Sequence, residues 1–189
     1  MRENVMQGMR TTHFITLLLV SLLAACTPKK DRRSFGTVID DQSVEVKIID
    51  VLYSRPEFDK SDHIKVEAHN STLLLAGETK SEENKALATE LAAQLKSVDR
   101  VVNELEVMPA ADSGGRFNNA YITSKINSKL TTSNPVEGFD AGRIKVLTAH
   151  GNVYLMGTVS HEEGHEVAEI ARHTGGVNKV VKVFDYTDE

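Results

Sequence analysis

A single cysteine, Cys26, stands in the whole chain, so no disulfide can form within it. Tryptophan is absent, and with 40% hydrophobic residues the 189 positions hold one ordinary domain or two small ones. Basic residues are not in excess: the formal net charge is -5, which argues against nucleic acid as a partner, because phosphate binding needs a basic face. The apolar run Phe14 to Leu23 is too short to span a bilayer permanently. There is no phosphate-cradling glycine loop and no nucleophile elbow, and the histidines are scattered without a triad, so no enzyme is expected and no cofactor is required.

What the chain does contain is a repeat. Ile64 to Gly77, IKVEAHNSTLLLAG, recurs as Ile144 to Gly157, IKVLTAHGNVYLMG, at an offset of eighty positions. Each unusual residue can therefore be compared with its counterpart in the other copy.

The amino end carries Arg2 and Arg10, then the apolar run, then Leu23-Ala24-Ala25-Cys26. A basic start, an apolar stretch and small residues before a cut describe a secretory signal over residues 1–25, with Met1 or Met9 as the start. The tetrapeptide resembles the lipobox of bacterial lipoproteins. That resemblance implies cleavage before Cys26 and acylation of its thiol and new amino group, each buried methylene adding about 0.8 kcal/mol of membrane affinity. Thr27 in place of Asp implies, by the same resemblance, sorting to the outer membrane. Residues 26–39, with Lys29, Lys30, Arg32 and Arg33, lack an apolar period and read as a flexible stem.

Each repeat is then read in the same order. In the first, Asp40 and Asp41 are candidate caps for a helix carrying Val44, Ile48 and Leu52, which Ser54-Arg55-Pro56 ends. Ile64, Val66 and Ala68 alternate as a half-buried strand, His69-Asn70-Ser71 turns, and Thr72 to Ala76 returns. Ser81 caps a helix with Glu82 and Glu83 in its first turn and Leu87, Leu91 and Leu95 as its buried row; Val101, Leu105 and Val107 form a last strand. Pro109, Ser113, Gly114 and Gly115 mark a linker over 109–116. The second repeat reprises this with Ile122, Ile126 and Leu130, then Ile144 and Val146, Val153 and Leu155, Val167, Ile170 and Ala171, and Val180 and Val183. Gly77 and Gly157 end the returning strands in both copies, which points to a backbone angle or close approach that a side chain would obstruct.

Helix, strand, strand, helix, strand with a glycine after the second strand resembles the BON domain, on Ile64-x-Val66 with Leu75-x-Gly77 and Ile144-x-Val146 with Leu155-x-Gly157. The chain is thus similar to dual-BON outer-membrane lipoproteins. The expected class is α+β: two tandem BON domains, 40–108 and 117–189, each with a three-stranded mixed sheet covered by two helices. One buried sheet face under two amphipathic helices is also what the apolar pattern requires.

One motif points elsewhere. His161-Glu162-Glu163-Gly164-His165 satisfies H-E-x-x-H, which on a helix would set two imidazoles on one zinc with Glu as base, the signature of a zinc peptidase. Gly164 weakens that helix by about 1 kcal/mol, the first repeat has Ser81 to Lys85 in its place, and no third ligand is evident beyond Glu166 and His173. No metal is expected; His161 and His165 are the residues one would use.

For binding, the stretch Asn118 to Leu130 has no acidic residue although the protein is acidic, and Tyr121, Lys125 and Lys129 form a row at spacing four beside the core row. An aromatic ring at the polar boundary with snorkelling lysine stems suits anionic headgroups. The equivalent row in the first repeat is Ser43, Lys47 and Val51, flanked by Glu45 and Asp50. The expected lipid-binding set is Arg116, Tyr121, Ile122, Lys125 and Lys129, on an outer-membrane, lipid-anchored protein facing the periplasm. The family resemblance likewise implies anionic phospholipid recognition by the second unit, envelope integrity, and outer-membrane assembly proteins as partners. The alternative is a protein-docking adaptor using the acidic first repeat or strand edges.

Overall fold

The computed structural model describes residues 35–133 and 135–187. The signal segment, Cys26, Thr27 and the basic residues Lys29 to Arg33 lie outside the described residues. These described residues belong to one compact unit.

The first half runs α1 (Phe35–Tyr53), β1 (His63–His69), β2 (Thr72–Thr79), α2 (Glu82–Ala93) and β3 (Arg100–Val107). The second runs α3 (Ser113–Ser133), a 3-10 turn (Ala141–Arg143), β4 (Lys145–Ala149), β5 (Asn152–Val159), α4 (His161–Arg172) and β6 (Lys179–Tyr186). Each half holds a three-stranded mixed sheet with its second strand in the middle, antiparallel to the first and parallel to the third. The α+β expectation of two helix-strand-strand-helix-strand units is met in both halves.

Two boundaries differ from the sequence reading. The stem was expected to reach residue 39, yet α1 begins at Phe35, so Asp40 and Asp41 are interior to the helix and not its caps. Asp41 instead is buried and accepts from Asn70 N in the β1–β2 turn at 3.4 Å. That turn and its counterpart place Asn70, Ser71, His150 and Gly151 at positive φ, as two-residue hairpin loops require. The linker was expected to span 109–116, yet α3 starts at Ser113. Gly114 and Gly115 fall in a first turn whose N–H groups lack intrahelical partners, and the Asp112 carboxylate takes Gly115 N at 2.7 Å.

Gly77 and Gly157 adopt φ of +116° and +151°. A Cβ at Gly77 would run into the His63 carbonyl oxygen, and one at Gly157 into that of Arg143. These are the close approaches that the repeated glycine suggested.

The helices cover one face of each sheet. Val44, Ile48, Leu52, Leu73, Leu75, Leu91 and Leu105 form the first core; Ile122, Ile126, Leu130, Val153, Leu155, Val167 and Phe184 form the second. The sequence reading expected only this face to be buried. The middle strands are in fact buried on both faces, because Leu74 and Ala76 meet Tyr154, Met156 and Val183 in a third apolar layer between the two sheets. Val183, grouped with Val180 in the sequence, therefore lies in this layer, while Val180 packs on the helix side.

Polar contacts around that layer are reciprocal. Lys65 Nζ donates to Thr148 O at 2.7 Å and Lys145 Nζ to Ala68 O at 2.8 Å, the same pair of positions exchanged between repeats. Asn70 Nδ2 donates to Thr158 Oγ1 at 3.0 Å, and at the equivalent positions His150 Nε2 lies 2.8 Å from Glu78 Oε1. Glu78 is fully buried, with His63 Nδ1 at 2.9 Å on its other oxygen. The halves thus pack as a two-fold pair would, each using the same patch.

Burial pulls Lys145 down, but the hydrogen bonds and charges of Glu67 and Glu45 together carry it above the ordinary lysine value. Burial also pushes the Tyr154 hydroxyl up to about 12, with Glu104 and Glu106 adding to it. Both groups keep in the folded state a proton that the unfolded chain gives up sooner. Their contributions are therefore whole below about pH 10 and are lost as pH rises through the folded values. Urea unfolding midpoints should fall by the equivalent of about 2 kcal/mol between pH 10 and 12, and Tyr154→Phe should flatten part of that fall.

Candidate membrane-facing surface

Helix α3 turns Asn119, Ile122, Ile126 and Leu130 inward. Its outer side carries Phe117 and Tyr121, 76% and 55% exposed, with Ala120 and Ser124 beside them. Lys125 is the next residue of that row, its Nζ 5.6 Å from the Tyr121 ring centre, a cation–π contact that holds the ammonium beside the aromatic pair. Arg116 is exposed on the adjoining face. No Asp or Glu lies between Ser113 and Ser133.

Two residues of the expected lipid-binding set are corrected. Ile122 is 0% exposed and packs beneath the Gly176 loop, so it belongs to the core and cannot touch a ligand surface. Lys129 donates to His173 O at 3.1 Å and to Thr174 Oγ1 at 3.0 Å. Its ammonium is spent on the carboxyl end of α4, where a cation is favourable against the helix dipole. Tyr121, Lys125 and Arg116 remain together on the outer side.

Phe117 was missed. With the helix expected only from Asn118 to Leu130, the spacing-four row begins at Tyr121; carried one turn back along a helix that starts at Ser113, it reaches Phe117, the most exposed large apolar side chain of the described residues.

The H-E-x-x-H stretch opens α4 as a capping box: Ser160 Oγ accepts from Glu163 N at 3.1 Å, and Glu163 returns to Ser160 N at 2.9 Å. Glu163 also pairs with Arg143, a buried cation that donates to Thr158 O at 3.0 Å and lies over the Phe139 ring. Gly164 is buried where a Cβ would press on Phe184 and Tyr186, and the His161 ring stacks on Tyr186 with centroids 4.0 Å apart. These residues build the helix start and its seat on the sheet. Among the described residues no group of three His, Cys, Asp or Glu is arranged to hold a metal ion. Arg143→Ala takes away the cation that faces the Glu163 carboxylate in a largely buried setting and should cost about 3 kcal/mol in urea unfolding.

The BON domain family model matches residues 40–109 and 118–188. The chain is 31% identical over 158 residues to Outer membrane lipoprotein DolP of Haemophilus influenzae, covering 84% of this chain and 80% of that protein. It is 33% identical over 156 residues to the 21 kDa hemolysin of Actinobacillus pleuropneumoniae, covering 82% and 79%.

Proposed function

The chain belongs to the BON-domain family, and from that premise we propose that it is a non-enzymatic outer-membrane lipoprotein supporting envelope integrity, whose second domain holds anionic phospholipid through α3. The observation that carries this reading is the row Phe117, Tyr121, Lys125 on a helix without carboxylates. Burying one Phe side chain in an apolar medium is worth about 1.5–3 kcal/mol, and Arg116 and Lys125 add about 1 kcal/mol each at an anionic leaflet. The sum is a weak contact. Acyl chains on Cys26 would hold the protein at the surface, where tethering turns a weak contact into a populated one. Among the described residues no helix is long and apolar enough to cross a membrane.

Titrating the protein with anionic micelles should shift the amide signals of residues 116–125, and Phe117→Ala with Tyr121→Ala should abolish the shifts. A second reading, a docking adaptor for envelope or outer-membrane assembly proteins, is favoured by Val46, 63% exposed on α1 of the acidic first domain. Silence from α3 together with a partner crosslinking to α1 would favour that reading instead.

A further inference from the structure

Glu78 stands where the second repeat carries Thr158. Its carboxylate lies at the joint between the domains, with 1% of the side chain exposed. Groups from three segments reach it. His63 Nδ1 of β1 lies 2.9 Å from Oε2, His150 Nε2 of the β4–β5 turn lies 2.8 Å from Oε1, and Ala111 N, between the domains, donates to Oε2 at 3.4 Å. The two imidazoles belong to different domains, so the carboxylate is held from both sides.

The fold does not ask for this arrangement. Across the pseudo-two-fold the positions of Glu78, His150 and His63 hold Thr158, Asn70 and Arg143, none of which changes charge near neutrality. There Asn70 Nδ2 donates to Thr158 Oγ1 at 3.0 Å, and Arg143 pairs with Glu163. The same contact is thus made once with fixed charges and once with groups that titrate.

Geometry assigns the protons. Glu78 Oε1 and His150 Nε2 are both buried, and beyond this contact neither has a hydrogen-bond partner. At 2.8 Å from a carboxylate oxygen the nitrogen must carry its proton, since two lone pairs would repel, and the same holds for His63 Nδ1. A further proton goes to the remaining nitrogen of either ring, and side chains 27% and 28% exposed can take it from water. With both rings neutral, dipoles alone meet the buried charge; with one ring protonated, it has an ion pair at contact distance. The other titratable groups that feel Glu78 supply no such pairing. Burial chiefly, and the Glu78 charge in part, hold the Tyr53 and Tyr154 hydroxyls above the ordinary tyrosine value. Burial disfavours the Lys65 ammonium while Glu78 favours it, and Lys65 Nζ is committed to Thr148 O at 2.7 Å.

The contact reaches the start of α3 by two routes. Ala111 leads into Asp112, whose carboxylate holds the first turn of that helix, and Gly151, next to His150, donates its N–H to Asn119 of α3 at 3.1 Å. We infer that Glu78, His63 and His150 form a proton-operated latch tying the first domain to the beginning of α3, loose above neutrality and fastened as an imidazole takes up a proton between about pH 8 and 5. This goes beyond the lipid reading and stands whether or not α3 meets a bilayer.

A double-mutant cycle on the full chain tests it. Glu78→Gln keeps the shape and removes the charge; His150→Asn installs at this positive φ the residue that the first repeat has there. The coupling between the two, read as a factor in the urea unfolding equilibrium constant, should be about tenfold larger at about pH 5.5 than at about pH 8.5, as a charge-assisted contact exceeds a neutral one. His69, 4.0 Å from Asp185 elsewhere in the joint, titrates in all four proteins and cancels. The unmodified protein gives a second readout that requires no variant to fold. Hydrogen-exchange protection of the Ala111 and Gly151 amides, corrected for the intrinsic rate, should rise about fivefold over the same interval relative to amides of the second core. A coupling equal at the two pH values, or larger at the higher one, would overturn the latch, and so would protection at Ala111 and Gly151 that does not change between them.

Discussion

Gly77→Ala should cost about 3 kcal/mol or more in urea unfolding, a large share of the roughly 5–15 kcal/mol that holds a domain of this kind together. Two effects add at this position. The backbone sits at φ +116°, which an L side chain adopts only with strain of about 1–3 kcal/mol. The new Cβ would also meet the His63 carbonyl oxygen, an atom of the neighbouring strand that can move only if β1 leaves its register with β2. Gly157→Ala should behave alike through the Arg143 carbonyl. Gly138 is the control: its φ is +78°, but nothing lies within 4 Å of its absent Cβ, so Gly138→Ala should show the strain alone, about 1 kcal/mol. Equal losses at all three positions would mean that close approach contributes nothing.

Leu74→Asp should have the other large effect. Leu74 is fully buried in the layer between the sheets and faces away from the helix-covered core. A carboxylate there has no partner, and an isolated buried charge costs several kcal/mol in practice. The loss should fall on the joint between the domains and not on either helix-covered core. The unmodified chain should therefore unfold in one transition, and the variant in two, with Met156→Asp reproducing the split from the other side. A variant that still unfolds in one step, weakened by less than about 1 kcal/mol, would show that this layer does little to join the halves.

The order of elements was legible because each repeat carries its own helix and strand periods and each copy checks the other. Burial on the second face was not anticipated, although Leu73-Leu74-Leu75-Ala76 and Val153-Tyr154-Leu155-Met156 are unbroken apolar runs that leave no side for water. What such a run does not name is the body that covers the second face. The helix starts were less legible. Residues 35–39 extend α1 beyond its core row, and Ser113-Gly114-Gly115 has linker composition although Asp112 caps it into a helix. A helix expected only from Asn118 leaves Phe117 outside its row. Spacing could place Ile122 and Lys129 on α3 but could not show that one is roofed by the Gly176 loop and the other reaches the end of α4. Arg143 carried no signal at all, because its partner Glu163 is twenty positions away on another element.

The central claim is that the outer side of α3 is the part of this molecule that meets an anionic bilayer. Binding the full chain to anionic vesicles doped with nitroxide-labelled headgroups, and reading the broadening of side-chain signals, tests it most directly. The account predicts the strongest broadening at the Phe117 and Tyr121 rings, less at Lys125, and none at these positions with purely zwitterionic vesicles. Broadening centred on α1 of the first domain, or spread evenly over both domains, would contradict it.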